Sequence, residues 1–212
     1  MKNDSWCTAK RLSAVLLVAL SLLISCAKEE PATEKTPPQK AVNPYSSEST
    51  FDEMKKKLEK NPDDVDALYH LADIYDRNAQ YPEAIDTYKK VAKLKPDMGY
   101  AYFKMGTAYD RLNQPAEAVN AFKTTIKYMP KFATAYNNLG VAYGKLEKYG
   151  DEVTALKKAI SLRPNYSSAR YNLGVTYLKT GNRKAAMQEY ESLKKFDDGA
   201  AEALLKEIKK AS

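Results

Sequence analysis

From residue 65 onward apolar side chains recur every three or four residues, and the whole pattern then recurs every 34. Leu71, Met105, Leu139 and Leu173 share one slot, Tyr75, Tyr109, Tyr143 and Tyr177 share the slot four residues later, and Pro62, Pro96, Pro130 and Pro164 keep the same period. The short spacing places the first two groups on one face of a helix. Between them stand Ala72, Gly106, Gly140 and Gly174, small enough to let a second helix approach closely. Tyr88, Phe122, Leu156 and Tyr190, with Ala84, Ala118 and Ala186 as small partners, predict that second helix. A 34-residue period of this kind is a helix-turn-helix unit that buries its faces only by stacking on its neighbours.

Three positions break the pattern. Glu152 occupies the small slot of the third unit, where a carboxylate must reach water or loosen the helix pair. Arg170 replaces the large apolar residue of Leu68, Tyr102 and Tyr136, and Asp198 stands where the next proline would fall. Both ends read as caps. Ser49 or Thr50 is placed to cap a short helix carrying Phe51, Met54 and Leu58, half a unit at the N-terminal end. Ala201, Leu204, Leu205 and Ile208 alternate with Glu202, Lys206, Glu207 and Lys209, as in a closing helix with one wet face.

The residues from Ala133 to Tyr143, including Tyr136, Asn137, Leu139, Gly140 and Ala142, followed by Ala159, Ile160, Arg163 and Pro164, resemble the tetratricopeptide repeat. The resemblance covers residues 65–200 and, more loosely, 50–212. It implies an all-α solenoid, a superhelix with an N-terminal half repeat at 49–64, repeats at 65–98, 99–132, 133–166 and 167–200, and a capping helix at 201–212. It also implies a concave wall of first helices where a partner segment lies. Carried onto this chain, that wall presents Asp66, Tyr69, Asp73 and Asp76, then Tyr100, Phe103, Thr107 and Asp110, then Thr134, Asn137 and Val141, then Ser168, Tyr171, Val175 and Leu178. The stripe is acidic early and apolar late. Asp73 and Thr107 at ninth positions and Tyr69 at a fifth leave the carboxylate clamp of some family members largely missing. The implied partner is a protein or peptide of apolar and basic character, contacted by exposed Tyr69, Phe103 and Tyr171.

At the other end Lys2, Lys10 and Arg11 precede an apolar run from Leu12 to Ile24, the layout of a secretory signal. The run is shorter than the roughly 20 residues a spanning helix needs. Leu23, Ile24, Ser25 and Cys26 resemble a bacterial lipobox, which implies that residues 1–25 are removed and that Cys26 is acylated as a lipid anchor. Ala27 and Lys28 lack the aspartate associated with inner-membrane retention, so the resemblance points to an outer membrane, facing the periplasm. Residues 26–48 then hold the lipidated cysteine and a Pro-, Lys- and Glu-rich tether that reads as disordered.

Charge and candidate chemistry change this picture little. The net charge of +7 falls to +5 once Lys2, Lys10, Arg11 and Asp4 leave with the signal, a modest excess. About half of the 16 tyrosines fall in core slots, so a nucleic-acid partner is not expected. Lys89, Lys90, Lys93, Lys95, Lys123, Lys127, Lys157 and Lys158 lie on second helices, as a solvated face or one that meets anionic headgroups. His70 is the one histidine, which leaves no His-rich metal site and no Ser-His-Asp arrangement. Asp66, His70 and Asp73 share a helical face, a weak acid-base or metal constellation at most. The single glycines spaced by 34 form no phosphate loop. The expectation is therefore a non-enzymatic, cofactor-free and metal-free adaptor or scaffold for an envelope assembly. A self-assembling envelope protein and a pilotin-like factor for a pilus or secretion system are the alternatives.

Overall fold

A computed structural model describes residues 48–211; the signal, Cys26 and the tether lie outside the described residues. The described residues form helices without strands: α1 Glu48–Lys60, α2 Val65–Arg77, α3 Tyr81–Leu94, α4 Gly99–Arg111, α5 Pro115–Tyr128, α6 Ala133–Lys145, α7 Tyr149–Leu162, α8 Ser167–Lys179, α9 Arg183–Leu193 and α10 Asp198–Lys210. Helices α2/α3, α4/α5, α6/α7 and α8/α9 pair as antiparallel hairpins stacked in chain order, α1 packs on α2, and α10 on α8 and α9. The period-marking prolines occupy the turns that precede the first helices, where a missing N–H is harmless.

The turn inside each hairpin demands a left-handed residue at the same place: Ala79 (φ 58°), Asn113 (55°), Glu147 (58°) and Gly181 (76°). Only Gly181 adopts that conformation without a Cβ penalty. Side-chain caps serve three helices, with Asp64, Asn182 and Asp197 accepting from the N–H groups of Ala67, Ala185 and Ala200. Ser49 and Thr50 do not precede helix α1 as a cap position would. Helix α1 begins before them at Glu48, so both sit in its first turn, and Thr50 is buried.

The small slots are where paired helices touch. A Cβ on Gly106 would lie 2.6 Å from the Phe122 ring, and one on Gly140 would lie 2.8 Å from Leu156. The fourth repeat departs from the expected pairing: Gly174 faces Leu204 of α10, at 2.5 Å, rather than Tyr190 of α9. The physical reason is that α9 is short and α10 folds back against α8, so Leu204 is fully buried and Tyr190 only partly. Arg170 is accommodated by pairing, with Nη1 2.8 Å from Glu189 and Nε donating to the Pro164 carbonyl.

First helices of successive hairpins touch directly, α4 with α6 and α6 with α8, whereas second helices show no comparable contact with one another. The first-helix wall is thus the tighter, inner one. On the outer wall the lysines are exposed, yet three of them also staple repeats together. Lys123 lies 5.6 Å over the Tyr143 ring, Lys157 lies 5.9 Å over Tyr177, and Lys89 hydrogen-bonds Tyr109. Replacing Gly106 by alanine should lower the unfolding free energy by about 1–3 kcal/mol, because the new Cβ would stand 2.6 Å from the Phe122 ring and force it to shift. Gly181→Ala should cost about 1 kcal/mol through its left-handed backbone. Urea denaturation checks both; an unshifted midpoint for Gly106→Ala would mean that the helix crossing is looser than described.

Candidate functional site

The first-helix wall carries the expected stripe, but the structure uses much of it internally. Asp73 accepts from Lys104 at 2.6 Å, from Arg77 at 2.7 Å and from the Tyr88 hydroxyl at 2.9 Å. Burial opposes its charged form, yet Lys104, Tyr88 and Arg77 outweigh burial and hold its carboxyl below the ordinary value near 3.8. Burial, and then the adjacent Asp73, push the Tyr88 phenol far above its ordinary range. Asp76 shares Lys104 at 3.8 Å, and burial pushes its carboxyl up. In the next repeat Asp110 pairs with Lys145 at 2.6 Å. Asn172 donates to Asn137 at 3.1 Å, which buries Asn137 under a side-chain amide link to α8. These three links join neighbouring first helices, at separations of 31, 35 and 35 residues. The acids are therefore not a free negative stripe; Asp66 alone among Asp66, Asp73 and Asp76 is exposed.

The aromatics also need correction. Tyr69, Phe103 and Tyr171 are half-buried rather than exposed. Tyr69 packs edge-on against Tyr88 at 5.6 Å, and burial raises its phenol. Phe103 lies 4.8 Å from Phe132 and 5.9 Å from Phe122, and Tyr171 packs on the α9–α10 cluster. Fifth positions on these helices pack against the neighbouring core and reach solvent only in part. The aromatic that does reach water is Tyr100, 51% exposed, with its ring 5.5 Å from Phe132. Phe132 was not among the expected contacts. Its signal was available: the residue before each first helix reads Asp64, Met98, Phe132 and Tyr166, and the last three give no side-chain cap. A slot that favours cappers but holds large apolar residues marks packing or contact.

Two hollows open on this wall and share Val141. One, of about 240 Å³ between α4 and α6, is lined by Thr107, Asp110, Arg111, Phe122, Asn138 and Val141. The other, of about 280 Å³ between α6 and α8, brings together Val141, Gly144, Tyr171, Val175 and Lys179 over Glu152. A third, apolar hollow of about 420 Å³ is formed by Met129, Pro130, Lys131 and Phe132, the last of which contacts Tyr100. Asp66, Tyr69 and Asp76 line none of these, and Leu178 packs toward α10.

Glu152 neither reaches water nor loosens its hairpin. It is buried because Gly144 leaves it room: a Cβ there would stand 2.7 Å from both carboxyl oxygens. The other repeats carry Asp76, Asp110 and Leu178 at the Gly144 position and alanine at the Glu152 position. Burial raises the Glu152 carboxyl above the ordinary range, although Thr176 and Lys179 act to lower it. No cluster of three potential metal ligands occurs among the described residues, and His70 lies exposed beside Tyr69. What the wall offers is shaped apolar surface with a few placed polar groups, which suits binding.

Three tetratricopeptide-repeat family models match the chain, at residues 55–86, 103–167 and 153–209. Among solved structures it resembles MamA at 25% identity with a TM-score of 0.68, over 73% of this chain and 92% of that one. It also resembles YrrB, described as a TPR protein with an unusual peptide-binding site, at 22% identity and a TM-score of 0.68, over 75% and 83%. The first TPR of Spaghetti, solved with the HSP90 peptide SRMEEVD, aligns at 23% identity with a TM-score of 0.54, over 55% and 93%. The last two likenesses concern the fold alone. No curated protein matches the chain.

The Asp73 links make a prediction about acid. A carboxyl whose folded value is depressed contributes stability above its unfolded value, about 4, and loses that contribution as pH falls through the folded value. Asp73→Asn should therefore destabilise by about 1.5–3 kcal/mol at pH 7, and the difference from the parent should shrink as pH falls below about 4. Denaturant titrations of both proteins between pH 7 and 2 would show it. A constant difference across that range contradicts the assignment.

Proposed function

The chain belongs to the tetratricopeptide-repeat family, and from that premise we propose that it is a membrane-anchored adaptor holding a partner protein segment along its first-helix wall. The observation that carries this reading is Tyr100, half in water against Phe132, on a first helix of the same wall as the two hollows around Val141. An aromatic displayed at the rim of such a surface is what an apolar partner segment covers on contact. That YrrB and Spaghetti engage peptides supports the reading by analogy of fold. An acidic C-terminal peptide is disfavoured as the partner, because the carboxylate clamp is largely missing and Lys104 and Lys145 are already held by Asp73 and Asp110.

In this reading Cys26 carries the lipid, the residues that follow act as a tether, and the adaptor serves an envelope assembly at an outer membrane, facing the periplasm. Service to a pilus or secretion channel, as a pilotin-like factor, is the narrower version. Self-assembly through solenoid ends is less favoured, since α10 turns Ala201, Leu204 and Ile208 inward and leaves Glu202, Lys206 and Lys209 exposed. The adaptor catalyses nothing and takes no cofactor.

Crosslinking in cells would supply the partner, and titration would then test the wall. Tyr100→Ala and Phe132→Ala should each weaken binding by about 2 kcal/mol or more, while Tyr100→Ala leaves stability within about 0.5 kcal/mol. Lys90→Glu and Lys127→Glu on the outer wall should leave binding unchanged; the reverse pattern would move the partner outside. Cys26→Ser should abolish acyl labelling and leave an unprocessed or soluble form. Normal membrane fractionation with acyl labelling of that variant would remove the anchor from the reading.

A further inference from the structure

The floor of the hollow between α6 and α8 is a carboxyl with part of its hydrogen-bonding capacity unused. Glu152 is 6% exposed, and its Oε2 is buried without a hydrogen-bond partner. Such an oxygen is costly to bury, and native structures give it a purpose or a partner. Packing does not require it, because Ala84, Ala118 and Ala186 fill the same slot elsewhere with no exposure at all. The third repeat instead carries a matched pair in which Gly144 vacates the space that the Glu152 carboxyl fills, open toward a hollow of about 280 Å³.

Val141, Tyr171 and Val175 give that hollow apolar walls. The cations around it are partly engaged elsewhere: Lys145 sits on Asp110 at 2.6 Å, and Lys179, which favours the charged form of Glu152, lies 5.8 Å over the Tyr149 ring. No salt bridge reaches Glu152 among the described residues. Glu207 supplies a second carboxylate at the mouth.

We infer that this hollow is a specificity pocket for a lysine or arginine side chain of the partner segment, whose cationic end donates to Oε2 of Glu152. The aliphatic stem runs along Val141, Tyr171 and Val175, and the charged tip supplies the counter-charge that burial denies the carboxylate. A charged donor to a carboxylate is stronger than a neutral one, which separates a basic side chain from glutamine. A glutamate would set a third carboxyl beside Glu152 and Glu207. The inference rests on the groove being the partner's site, and it places the basic character of the partner at repeats three and four rather than at α2.

The test uses the full-length chain in detergent and four probes, the N-acetyl N-methylamides of lysine, norleucine, glutamine and glutamate, read by NMR at the Val141 and Val175 methyl groups. The lysine probe should shift these methyls saturably and bind at least tenfold more tightly than the other three. Glu152→Gln should erase that preference. Glu152→Ala should erase it too. Norleucine or glutamine binding as well as lysine, a preference for glutamate, or a lysine preference that survives Glu152→Gln would each overturn the pocket. Loss of the lysine preference leaves partner capture through Tyr100 and Phe132 standing. A lysine preference that persists while those two variants bind the partner normally supports the pocket and overturns the wider groove.

Discussion

The distance between the two helices of a hairpin is set here by a missing side chain. Where Gly106 has no Cβ the Phe122 ring moves in, and where Gly140 has none Leu156 does, so that each bulky residue is almost wholly removed from water. A solenoid repeat touches only its neighbours, so this one spacing propagates along the stack. It brings α4 against α6 and α6 against α8, which in turn brings Lys145 onto Asp110 and Asn172 onto Asn137. A wider crossing would separate those partners and flatten the hollows that lie between first helices.

The third repeat obeys the same constraint by a different route. Its second helix carries a large charged residue where alanine belongs, and its first helix gives up a side chain at Gly144 in exchange. Volume is conserved across the pair, which is the kind of change a close-packed interior tolerates. What is not conserved is polarity, and the result is a carboxyl buried under an open hollow in an otherwise regular wall.

Most of the remaining charge is structural. On the inner wall acids and lysines from successive repeats neutralise one another, and on the outer wall Lys123 and Lys157 lie over tyrosines of the following repeat. The outer-wall contacts are each worth little alone, but together with the inner-wall pairs they tie every hairpin to the next. In the proposed reading, recognition is left to the groups that the stack does not consume, chiefly Tyr100 and the Glu152 carboxyl.

The 34-residue period, the two helices per unit and the small slots at Gly106, Gly140 and Gly174 are legible in the sequence, because every unit solves the same packing problem with residues of the same kind. The left-handed turn is not legible, since Ala79, Asn113, Glu147 and Gly181 share a backbone conformation and no side-chain chemistry. Nor is the use of the wall. Asp73 reads as a free acid until folding sets it beside a lysine 31 residues away, and Tyr69 and Phe103 read as exposed until the next core covers them. Gly174 meets Leu204 rather than Tyr190 because α10 returns over α8. Local spacing along one helix determines which side chains share a face; which of those faces stays open depends on the neighbour that stacks against it, and only the tertiary structure supplies that neighbour.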